Sequence, residues 1–147
     1  MEEWTLKLKP INIGEKIDTQ NEFCEMVLES QDEYYEKVGF QPPWISYLAV
    51  SESDFVGVCS FKGSPKQGRV EIGYFTFPEN EGKGYGQFMC RSLVDIVQEF
   101  DPEVVITART LPEYNASTSI LKKNGFELQG VVVDEDDGDV WEWVYRN

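Results

Sequence analysis

The sequence predicts a single α/β domain of the mixed α+β kind, and three observations carry that reading. Segments alternating apolar and polar residues recur along the chain, and segments with apolar residues at helical spacing fall between them. The length of 147 residues suits one domain at about 150 residues each. Apolar residues are 41% of the chain and aromatic residues 14%, enough to build a core and too many for disorder.

Residues 4–12 alternate and form the first predicted strand. A helix follows from Asp18 and Thr19, where Thr19 and Glu22 have capping-box spacing. Its apolar stripe is Phe23, Val27, Tyr34, Tyr35 and Val38, with acids around the rest, and a break near Ser30 would divide it in two. After Gln41-Pro42-Pro43, residues 45–50 and 55–61 read as a hairpin, and 69–77 as a further strand rich in β-branched and aromatic residues. Pro78 stops that strand, 79–86 is glycine-rich, and a helix follows with Met89, Leu93, Ile96, Val97 and Phe100 at helical spacing. Strand 104–110, short helix 117–124 ended by Gly125, and the hairpin 126–133 with 140–145 complete the chain.

Acidic residues outnumber basic ones 27 to 13, for a net charge of −14. With a pI near 4.3, that field argues against nucleic-acid and anionic-membrane partners. The absence of histidine removes Ser-His-Asp and Cys-His nucleophilic mechanisms and histidine-ligated metal sites, so a base here is expected to be a carboxylate. Cys24, Cys59 and Cys90 lack Cys-x-x-Cys spacing, so neither a disulfide framework nor a zinc knuckle is expected. No apolar run reaches membrane-spanning length, and Met1-Glu2-Glu3-Trp4 lacks a basic start, so a cytoplasmic protein is expected.

Gly82-Lys83-Gly84-Tyr85-Gly86 lies where a strand meets a helix N-terminus, a place where backbone N–H groups and the helix dipole can converge on a phosphate. It matches neither a P-loop nor a dinucleotide fingerprint, and alone it reads equally as a tight turn with a helix start. The run Asp134-Glu135-Asp136-Asp137-Gly138-Asp139 fails as an EF-hand, because the register puts Val133 and Val144 at ligand positions; it reads as a solvated hairpin turn, and no metal is expected. Trp141 and Trp143 alternate on a strand and are expected to bury one face.

Glu71-Ile72-Gly73-Tyr74, the paired-glycine loop 82–86, Thr110-Leu111-Pro112-Glu113, Asn115-Ala116-Ser117-Thr118 and Leu121-Lys122-Lys123-Asn124-Gly125-Phe126 occur in this order. Together they resemble the GNAT superfamily of acetyl-CoA-dependent N-acetyltransferases, most closely its Rim-type branch, over about residues 45–145. The resemblance implies a central mixed, mostly antiparallel sheet of about seven strands with about four flanking helices. It also implies direct acetyl transfer in a ternary complex from acetyl-CoA to a primary amine, of a small molecule or a protein N-terminus, and it is compatible with a homodimer.

The resemblance further implies roles. Alternation puts Glu71, Gly73 and Phe75 on one face of their strand, and Glu71 matches the family's general base, acting through a water. The backbone N–H groups of Phe75, Thr76 and Phe77 match the oxyanion site, and Asn115 the residue bonding the pantetheine arm. Leu121 stands where many members have a tyrosine acid, so Ser117 is the expected proton donor, with Tyr114 in reserve; Ser117 also reads as a helix N-cap. Gly82, Lys83, Gly84, Tyr85, Gly86 and Lys123 are expected at the pyrophosphate, with Arg91 and Arg109 as further local cations, Lys122 read as an ordinary solvated helix residue, and Glu81 as a departure from the pattern. Acidic clusters in the early helix and last hairpin favour a cationic acceptor. Two rivals are a non-catalytic acyl-CoA sensor and an acidic interaction module.

Overall fold

A computed structural model describes residues 6–146. The strands are β1 (Leu6–Pro10), β2 (Ser46–Ser51), β3 (Asp54–Phe61), β4 (Arg69–Thr76), β5 (Val105–Thr110), β6 (Phe126–Asp134) and β7 (Gly138–Tyr145), and the helices are α1 (Glu22–Val38), α2 (Tyr85–Phe100) and α3 (Ala116–Lys123). They form a seven-stranded sheet in the order β1-β2-β3-β4-β5-β7-β6. Only β4 and β5 pair in parallel, so the sheet is mixed and mostly antiparallel, as expected. Of the first predicted strand, positions 4 and 5 lie outside the described residues.

Two local expectations are corrected. The cap of α1 is Asn21, whose side chain accepts from the N–H groups of Phe23 and Cys24 at 2.9 and 3.1 Å, while Thr19 Oγ1 only accepts from Asn21 N–H. The break at Ser30 does not occur: its hydroxyl folds back onto the Val27 carbonyl at 3.0 Å on the exposed side, and α1 runs unbroken for 17 residues. Among the described residues three α-helices therefore flank the sheet rather than about four, besides a single 3-10 turn at Pro78–Asn80.

The two sheet faces differ. On one, α2 buries Met89, Cys90, Leu93, Val94 and Val97 against Val70, Ile72 and Ile106, joined by Leu121 and Trp143. Each such apolar side chain contributes about 1.5–3 kcal/mol. Trp141, on the same face as Trp143, is half-buried against Tyr114. On the other face α1 covers only the β1–β3 side, where Cys24 packs with Ile11, Leu48 and Phe77. The acids of α1, Glu22, Glu25, Glu29, Asp32, Glu33 and Glu36, all lie exposed. Cys24, Cys59 and Cys90 are free and buried, and burial raises all three thiols, Cys90 to about 12. Among the described residues no helix is long and apolar enough to cross a membrane.

Candidate active site

The site is made by a parting of two strands. β4 and β5 pair through Ile72 and Ala108 and no further, while β4 continues to Thr76 against β3 alone. Backbone direction alternates along an antiparallel pair. Phe77 N–H donates to the Val56 carbonyl at 2.9 Å and Phe75 lies in the same phase opposite Val58, so those two face β3. Tyr74 and Thr76 present their N–H groups to the side that β5 has left. Of the three expected oxyanion donors, only Thr76 is thus directed into the opening, and the sequence reading missed Tyr74; Phe77 is also buried, in the cluster beneath α1.

The opening widens into a cleft of about 870 Å³ floored by Tyr74, Phe75 and Thr76 and walled by the glycine loop and α3. Gly82 and Gly84 have φ of 81° and 87°, and nothing stands within 4 Å of where a Cβ would be, so the loop offers bare backbone to a ligand. Gly86 differs: a Cβ there would lie 2.7 Å from Ile120 Cδ1, the far end of a side chain on α3. The helix N-terminus at Tyr85 completes an anion-favouring end, and the Tyr85 hydroxyl is held 3.2 Å from Ser51 Oγ. Lys123 and Glu81 also line the cleft. Glu81 is exposed, and a like charge about 6 Å away in water costs under about 1 kcal/mol.

Ser117 lines the same cleft, in the first turn of α3. It is not the N-cap: Asn115 is, in a capping box with Thr118, and its amide donates to Glu113 at 3.3 Å. Asn115 does not line the cleft. The Tyr74 hydroxyl donates to the Ser117 carbonyl at 3.0 Å, and the Ser117 hydroxyl lies 3.5 Å from it. Burial pushes the Tyr74 phenol far above its ordinary value, so it keeps its proton. Tyr114, 72% exposed and packed on Trp141 at 4.8 Å, stays away from this group, and Leu121 is fully buried core. The hydroxyl reach of Tyr74 depends on a helix 43 residues later, which strand periodicity does not reveal.

On the opposite face Glu71 lies in a charged row. Its carboxylate meets Lys62 Nζ at 3.1 Å and stands 4.0 Å from Arg109 Nε. Arg109 also bonds Asp134 at 3.1 Å and Glu142 at 3.3 Å, so it belongs to this row and not to a phosphate site. Burial opposes charge on Lys62, yet the Glu71 carboxylate overcomes it and the ammonium is raised. Arg91 is likewise occupied, 3.3 Å from Asp95 and 5.9 Å from the Tyr145 ring centre, and the exposed Lys83 and Lys122 do not line the cleft. Asp134 is held down to about 2, by the N–H of Asp136 first, then by Arg109 and the N–H of Asp137. The acidic turn is therefore tied at one carboxylate, and among the described residues no cluster suited to a metal occurs.

The acetyltransferase (GNAT) domain matches residues 13–127. No curated protein sequence matches the chain. Among solved structures, the aminoglycoside acetyltransferase AAC(6')-Ib with coenzyme A superposes with a TM-score of 0.60 at 24% identity, covering 69% of this chain and 65% of that one. RimL, a ribosomal-protein α-N-acetyltransferase with coenzyme A, gives 0.69 at 15%, covering 95% and 93%. A spermidine N-acetyltransferase chimera involving Vibrio cholerae SpeG gives 0.69 at 14%, covering 96% and 95%.

Proposed function

We infer the function from one premise: the chain belongs to the GNAT acetyltransferase family. We propose that it transfers the acetyl group of acetyl-CoA to a primary amine by direct attack in a ternary complex. The observation that carries this reading is the parting of β4 from β5 after Ile72 and Ala108, which opens into a bare glycine loop at a helix N-terminus. The loop, helped by Lys123, suits the pyrophosphate, and the Thr76 N–H suits the acyl oxygen as negative charge develops there. The amine nitrogen forms a bond to the acyl carbon, the carbon–sulfur bond breaks, and the thiolate takes a proton. Tyr74, protonated and hydrogen-bonded to Ser117, is the proposed source of that proton, with Ser117 beside it. Glu71 is the proposed base, receiving the amine's proton through a water.

Relatives of this fold act on aminoglycosides, spermidine and a ribosomal protein's N-terminus, and the net charge of −14 supports a cationic acceptor here. A Rim-type affinity remains part of this proposal, as do a homodimer and a cytoplasmic setting. One observation favours a second reading: Glu71 is engaged by Lys62 and faces Arg109, as a purely structural carboxylate would be, which suits an acyl-CoA sensor without turnover. The test is a thermal-shift titration with acetyl-CoA followed by thiol release over a panel of amines. Ligand at about a hundred times Kd stabilises by about 2.7 kcal/mol. No stabilisation overturns both readings, and stabilisation without thiol release leaves the sensor.

A further inference from the structure

Glu71 is held unevenly. Its Oε2 meets Lys62 Nζ at 3.1 Å, whereas its Oε1 stands 4.0 Å from Arg109 Nε, beyond hydrogen-bond reach. A guanidinium and a carboxylate free to meet close on each other at about 2.7–2.9 Å, often as a two-point pair. Something keeps these two apart. Arg109 is tied elsewhere: its Nε donates to Glu142 Oε1 at 3.3 Å and its Nη1 to Asp134 Oδ2 at 3.1 Å.

Both ties are anchored in the β6–β7 hairpin. Asp134 is buried, and its Oδ1 accepts from the N–H groups of Asp136 and Asp137 at 2.9 and 3.2 Å, so the turn fixes where its Oδ2 stands. Glu142 lies opposite Arg109 in the β5–β7 register and also meets Arg69 Nη2 at 3.3 Å, which places it between two guanidinium groups. On the other flank the backbone N–H of Lys62 donates to the Glu71 carbonyl at 2.9 Å, so that lysine is brought to its partner by the strand pairing itself. Tyr34, reaching toward this row from α1, gives its hydroxyl to the Phe61 carbonyl at 3.1 Å and does not close on Glu71 either.

We propose that Glu142 and Asp134 are positioning residues, which hold the Arg109 guanidinium off Glu71 and so leave Oε1 as the oxygen that receives the amine's proton. The inference rests on the acetyltransferase reading, in which Glu71 is the base. Lys62 occupies Oε2 and turns the carboxylate, while Arg109, near but unbonded, supplies positive charge without blocking the second oxygen. A guanidinium closed on Oε1 would take the lone pairs that a proton-carrying water must reach. A carboxylate serving structure alone gains by pairing both oxygens, and here one is kept open.

The test uses the full chain with acetyl-CoA and the fastest acceptor among spermidine, butylamine and a peptide with a free N-terminus. Glu142→Met releases the Arg109 Nε donor, which should close on Glu71: kcat should fall by at least about tenfold with the KM for acetyl-CoA unchanged. Removing the guanidinium as well, in Glu142→Met/Arg109→Gln, should raise kcat at least about fivefold above the single variant, because the glutamine amide still serves Asp134 and lacks the fork. In a Glu71→Gln background, Glu142→Met should change kcat by less than about twofold. A row of charges that only stabilises the fold predicts otherwise, a double variant less stable than the single one and no more active. Unchanged kcat in Glu142→Met, or no recovery in the double variant, overturns the restraint; if the double variant does not fold, the Glu71→Gln background carries the comparison. If no amine releases thiol, the acetyltransferase reading fails instead, and the restraint is judged by ¹³C NMR of the Glu71 carboxyl, assigned by its loss in Glu71→Gln. A signal displaced in Glu142→Met and restored in the double variant supports the restraint, and one that never moves, or stays displaced, overturns it.

Discussion

The Tyr74 hydroxyl bonds the Ser117 carbonyl at 3.0 Å and lies 3.5 Å from the Ser117 hydroxyl, fastening β4 to the first turn of α3 across the mouth of the strand opening. Tyr74→Phe should lower kcat by about a hundredfold if the phenol supplies the leaving-group proton, while the lost hydrogen bond costs only about 1 kcal/mol of stability. Ser117→Ala, which keeps the carbonyl, should lower kcat less. A Tyr74→Phe enzyme with unchanged kcat and a lower melting temperature would reduce the phenol to a strut.

Glu71→Gln separates base from brace. Turnover should drop by about a hundredfold while acetyl-CoA stabilisation stays within about twofold, because the carboxylate lies on the face opposite the glycine loop. The melting temperature should hardly change: Lys62 is half exposed, and exposed pairs are worth about 0–1 kcal/mol. Equal turnover in the variant removes Glu71 from the base role.

Acid should act through Asp134. Its folded value, about 2, lies below the ordinary 3.8, so the stability it supplies is complete above about 3.8 and is lost as pH falls through about 2. Asp134→Asn should therefore reduce the melting temperature at neutral pH and flatten its decline below pH 4. Circular-dichroism melts across that range would show parallel curves if Asp134 were not involved.

The glycines divide into two classes. Gly84→Ala forces a side chain to φ 87°, costing about 1 kcal/mol, and should weaken acetyl-CoA binding about tenfold by crowding the loop. Gly86→Ala gains helix propensity while displacing only the tip of Ile120, so its melting temperature should stay close to wild type. Calorimetric titration of both variants with acetyl-CoA checks the pair, and equal losses would contradict the division.

Much of this fold is legible in the chain because strand and helix periods are local. The run Arg69–Thr76 alternates cleanly, and α2 places Met89, Leu93 and Val97 on one stripe. Caps were less legible where two competent residues adjoin: Thr19 and Asn21 both suit the start of α1, as Asn115 and Ser117 suit α3, and only backbone direction selects between them. The glycine loop is legible as a strand-to-helix turn, and only the family resemblance directs it toward a phosphate. What remained hidden needed partners distant in the chain: Tyr74 with Ser117, and Arg109 with Asp134.

The burial of Cys24, Cys59 and Cys90, with every thiol held above its ordinary value, has a practical reach. A native preparation presents no ready thiolate to a chromogenic disulfide reagent. The free coenzyme released on turnover is then read against a silent protein background, and a slow rise of signal without amine reports unfolding.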